Sequence, residues 1–155
     1  MTAPGPNGHG PGPVAWDEGR EVVALILTIS AAFIALAPIG FRIIDGQYDR
    51  AGFRSALNGA GPTSGLMVLG AAVLVASTPA ADVTPRLRTF VFRVAVLVFV
   101  IGMFAILDIL FSETAGGVRL FFTRFPTIMR FSGPAALCAA TAAWLARRVV
   151  AFPAG

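Results

Sequence analysis

Between Glu21 and Arg42 the chain carries no charge at all. At ~1.5 Å per residue, a helix over residues 22–39 is roughly 27 Å long, close to the hydrocarbon core of a bilayer. A backbone with no water to bond must pair its own polar groups, and the helix does so within one segment. Further apolar stretches follow at about 61–78, 90–111 and 128–146. Of the 155 residues, 56% are hydrophobic and 13% charged, whereas soluble domains carry about a quarter charged residues. The expected fold class is all-α: a polytopic integral membrane protein forming a bundle of four transmembrane helices, with spans at about 22–41, 61–78, 90–111 and 128–146.

The segments between the spans have their own character. Residues 1–15 alternate glycine with proline and cannot bury enough apolar surface to fold, so disorder is expected there. Trp16, among Asp17, Glu18, Arg20 and Glu21, makes an interfacial end to a tail over residues 1–21. Ala35-Leu36-Ala37 resembles a signal-peptidase site, but acidic residues precede the run and Pro38 follows directly. An uncleaved helix kinked near Pro38 is expected instead. Residues 42–60 and 112–127 mix arginine with aromatic residues and read as amphipathic, interfacial loops, the first containing a short helix. Gly61-Pro62 then opens the second span, with proline in a tolerated first-turn position. The membrane domain covers residues 22–151, and residues 152–155 form a tail.

All 12 basic residues are arginine, against 8 acidic ones, for a net charge of +4. No basic run exists, so nucleic acid is not an expected partner. The arginines stand singly or in pairs at the ends of apolar segments, where membrane proteins keep them. An even number of spans puts both termini on one side. Six arginines fall on each side, so the assignment follows clustering: Arg86, Arg88, Arg147 and Arg148 are grouped, which favours cytoplasmic termini. Arginine without lysine, in a chain rich in Ala, Gly and Pro, suggests a GC-rich bacterium and its cytoplasmic membrane as the location.

Asp108 is the unusual residue, an acid about a turn inside the third span. Ionised at mid-membrane it would cost on the order of 2–3 kcal/mol, and less near the interface. It is either a relay for protons or cations, or half of an ion pair with Arg42 or Arg130, which flank the first and fourth spans at the same face. The ion pair is favoured, because a relay needs several acids in depth. Arg93, three residues into its span, is expected to snorkel toward Asp17, Glu18 or Glu21. Gly61, Gly65, Ala72 and Ala76 form a stripe of small residues on the second span, and Ala135 and Ala139 belong to another on the fourth. Such stripes let backbones approach closely, within the chain in the favoured reading or else in a dimer or against a partner's helix. Arg50, Arg54, Arg119 and Arg124 in the loops are candidates for contact with lipid headgroups.

Little here points to catalysis. Cys138 is the lone cysteine and His9 the lone histidine, so neither a disulfide nor a metal or catalytic pair is expected, and no cofactor. An enzyme acting on headgroups would draw on Asp45, Asp49 and Glu113, whose settings look solvated. The expected function is non-enzymatic: an accessory or scaffold subunit of a larger membrane complex, with the bilayer and other membrane subunits, or further copies of itself, as partners. The alternative is a small transporter or flippase for a lipid-linked or anionic solute.

Overall fold

A computed structural model describes residues 14–46, 50–78, 83–111, 123, 125–126 and 128–150. Among these, four long α-helices follow one another: α1 (Val14–Asp45), α2 (Arg50–Ser77), α3 (Pro85–Phe111) and α4 (Gly133–Val150). A π-helical turn, Ile128–Ser132, leads into α4. No strand occurs among the described residues.

Each helix buries a stripe whose members recur every three or four residues, or every seven. In α1 these are Ala24, Thr28, Ala31, Ala35 and Pro38; in α2, Leu57, Ser64, Val68, Ala71 and Val75. In α3 they are Leu87, Val91, Val94, Val98 and Ala105, and in α4 Ala135, Ala139, Ala142 and Ala146. This is the alternating spacing of helices that pack at shallow angles, side by side. α2 and α3 pack on each other and each also packs on α1 and on α4, which lie on opposite sides of the pair.

The core is small and the surface is large. Ala and Val fill the interior, while Phe33 is 73% exposed, Leu137 69% and Phe104 59%. A water-soluble fold would hide those side chains. Three helical stretches, Gly19–Ile44, Gly52–Ser77 and Pro85–Asp108, are long and apolar enough to cross a membrane. Hydroxyls on these helices donate to carbonyls of their own helix, Thr28 to Ala24 at 2.6 Å and Ser64 to Gly61 at 2.9 Å, and so need no water.

Several sequence expectations change. α4 does not join the three long apolar helices. The π turn cuts it short at its start, alanine supplies most of its apolar character, and Arg147 and Arg148 lie near its end. Of the expected interfacial loop 42–60, residues 42–45 belong to α1, which continues to Asp45, and residues 50–60 belong to α2, which begins at Arg50. Gly46 closes α1 with φ +58°, donating its N–H to the Arg42 carbonyl at 3.2 Å, an αL cap. Pro62 therefore lies well inside α2 rather than in its first turn. Lacking an N–H, it leaves the Asn58 carbonyl without its helical donor.

α3 also starts early. Pro85 occupies its first position, and the Thr84 carbonyl accepts from the N–H groups of Leu87 and Arg88 at 3.0 and 3.3 Å. At the other extremity α1 starts at Val14, so residues 14–21 of the expected tail are helical. Residues 1–13, most of the loop 112–127 and residues 151–155 lie outside the described residues.

Candidate functional site

The stripes that form the core run out into charge at one end of the molecule. Continuing α2's stripe back from Leu57 by three residues reaches Arg54, and continuing α3's forward from Ala105 by three reaches Asp108. The two meet: Arg54 Nε donates to Asp108 Oδ2 at 2.5 Å, with side chains 21% and 27% exposed. Arg54 Nη2 is buried and has no hydrogen-bond partner among the described residues. In α1 the step of four from Pro38 reaches Arg42, whose guanidinium lies over the Phe53 ring, 4.7 Å from its centre. α4 contributes through its π turn, where Ser132 Oγ donates to Asn58 Oδ1 at 3.1 Å. The Asn58 side chain is thus tied to α4 one helical turn before Pro62.

A half-open groove of about 610 Å³ runs beside this cluster. Ile39 and Arg42 of α1, Phe53 and Leu57 of α2, and Phe104 and Asp108 of α3 line it; Val100 and Ile101 extend the α3 wall. Its lining is apolar apart from the two charged residues. Beneath it, where Ala35, Gly61, Ser64, Gly102 and Ser132 converge, the remaining void is about 10 Å³. That is no larger than the ~10–15 Å³ one water needs.

The sequence candidates fall as follows. Among the described residues, the guanidinium bonded to Asp108 is Arg54's, a residue expected at a headgroup, whereas Arg42 stacks on Phe53 and Arg130 is exposed. The small-residue stripes of α2 and α4 face each other: a Cβ on Gly65 would lie 3.0 Å from the Ala135 carbonyl oxygen and 3.1 Å from its Cα. A Cβ on Gly61 would meet the Ala135 Cβ at an ordinary 3.4 Å. Ala72, Ala135 and Ala139 are buried, and Ala76 is half-buried. The Arg50 and Asp45 side chains, Asp49, Glu113, Arg119 and Arg124 lie outside the described residues.

At the opposite end, the Glu21 carboxylate is taken up by the start of α3, accepting from Thr84 N at 2.7 Å and Thr84 Oγ1 at 2.9 Å. Arg93 is exposed beside Arg86, Thr89 and Phe90. Two features escaped the sequence reading. Arg88 is 8% exposed, three residues before buried Val91, and Asn58 pairs with Ser132. The periodicity of α3 held the signal for Arg88; nothing local announced the Asn58 contact. Among the described residues no three His, Cys, Asp or Glu side chains gather as metal ligands would. No family model matches this chain, and no curated protein or solved structure matches it either.

Proposed function

We propose that this is a non-enzymatic integral membrane protein: a four-span bundle in a bacterial cytoplasmic membrane, with both termini cytoplasmic, serving as an accessory or scaffold subunit of a larger complex. The supporting observation is the tight packing among the described residues. The core is filled by close-packed Ala and Val, and the void beneath the groove, among Ala35, Gly61, Ser64 and Gly102, is about 10 Å³. A relay for protons or ions needs several ionisable groups in depth, whereas the Arg54–Asp108 pair sits at one end and the buried hydroxyls of Thr28 and Ser64 donate to their own helix. Large apolar side chains on α1, α3 and α4 point outward, where lipid or neighbouring helices can cover them.

The test is a pull-down of the tagged full chain from mild detergent at native expression. A partner protein at fixed stoichiometry is the expected result; a chain recovered only with itself and lipid overturns the accessory role. A second reading, a small transporter or flippase for a lipid-linked or anionic solute, is favoured by the groove with Arg42 at its mouth. It requires Asp108→Asn to abolish flux in a protein that still assembles. The accessory reading instead requires a large residue at Gly61 or Gly65 to be more damaging than neutralising Asp108.

A further inference from the structure

We propose that the groove beside Arg42 is a binding site for one anionic phospholipid, with an acyl chain along α3 and the phosphate at the Arg42 guanidinium. The inference needs the chain to lie in a bilayer and is independent of the accessory role. Three observations support it. The groove's volume, about 610 Å³, is in the ~300–1,000 Å³ range of small-molecule sites. Its α3 wall extends from Val100 to Asp108, about 12 Å of helix, most of the ~15 Å of one leaflet's hydrocarbon half. Phe104 and Val100 on that wall are 59% and 55% exposed, so the groove opens where a lipid tail can enter sideways.

The charge at the mouth selects the headgroup. Asp108 is bonded by Arg54. Arg42 is exposed and stacks on Phe53, with no carboxylate bonded to it among the described side chains. Among the described side chains at the mouth, Arg42, Arg54 and Asp108 carry a net charge of one positive unit (two arginines against one aspartate). Arginine's planar fork matches a phosphate's oxygens. A zwitterionic lipid offers the same phosphate but adds a cation that the net positive charge disfavours.

The experiment places a reporter in the groove. The full chain carrying Phe104→Trp, with Trp16→Phe and Trp144→Phe, is reconstituted in phosphatidylcholine vesicles containing graded fractions of brominated phosphatidylglycerol or brominated phosphatidylcholine. Bromine quenches tryptophan at contact, so the two series give the relative affinity at the groove. The expected result is a preference for phosphatidylglycerol of roughly fivefold or more, equivalent to about 1 kcal/mol. Arg42→Ala should bring it near unity, Arg42→Lys should keep much of it, and Arg93→Ala at the opposite end should leave it unchanged. Equal quenching by both lipids, or a preference that survives Arg42→Ala, overturns the site. Should Arg42→Ala fail to fold, the Arg42 protein in 1 M salt decides. There the Debye length is about 3 Å, and a preference that does not fall overturns it.

Discussion

Asp108 and Gly65 show how single residues hold the helices in place by opposite means. The carboxylate draws α3 to α2 through a charge-assisted bond to Arg54, whereas Gly65 lets α4 approach α2 until backbone meets backbone. Asp108→Asn should cost about 1.5–3 kcal/mol, the worth of a hydrogen bond between charged groups. Arg42→Ala should cost less, about 0.5–1 kcal/mol for one exposed cation–π contact. Unfolding in dodecyl sulfate followed by circular dichroism checks the order; the reverse order would show that the ion pair does not anchor the two helices. The glycines give a second comparison. Gly65→Ala must push α4 away and should lose about 1–3 kcal/mol. Gly61→Ala meets a side chain at ordinary contact distance and should be neutral or gain up to about 1 kcal/mol in helix propensity. Equal losses at both positions would mean that α2 and α4 are not packed in this register.

At the scale of the helix, ends and interruptions matter most. α1 ends where Gly46 adopts a positive φ, and a Cβ there would meet nothing within 4 Å. Gly46→Ala should therefore cost about 1–2 kcal/mol from backbone strain alone, with Gly46→Asn milder. The same unfolding assay tests this, and a neutral Gly46→Ala would show that the cap does not hold. The π turn before α4 brings the Ile128 carbonyl to 3.0 Å from where a Gly133 Cβ would stand, so glycine suits that position for its lack of a side chain. The helices' existence was legible in uncharged runs, but their ends were not. Residues 50–60 contain three charges or amides, Arg50, Arg54 and Asn58, which read as loop material. They extend α2 because Arg54 finds Asp108 and Asn58 finds Ser132, partners 54 and 74 residues away.

Across the whole molecule, small residues inside and large ones outside give a body suited to lipid, since hydrocarbon does not drive Phe or Leu inward as water does. Whether α4 spans decides the side on which the C-terminus lies. In a Cys138→Ala background, Thr2→Cys and Ala154→Cys should react with a membrane-impermeant thiol reagent from the same face of intact cells or oriented vesicles. Labelling from opposite faces would mean three crossings, with α4 packed against them from within one leaflet or its surface.

Uncharged runs of bilayer length and a core spacing of three and four residues are properties of the linear chain, and they carried the all-helical class and the apolar helices. The small-residue stripes were legible for the same reason: a helix has a fixed pitch, so faces can be read from numbers. Pairings cannot be read that way. That Asp108 would take Arg54 rather than Arg42 or Arg130, that Gly65 would meet Ala135, and that a groove would open beside Arg42 all depend on which helix ends come together. Only packing in three dimensions decides that, because close contact between residues far apart in the chain is set by the fit of whole helix faces and not by any local preference.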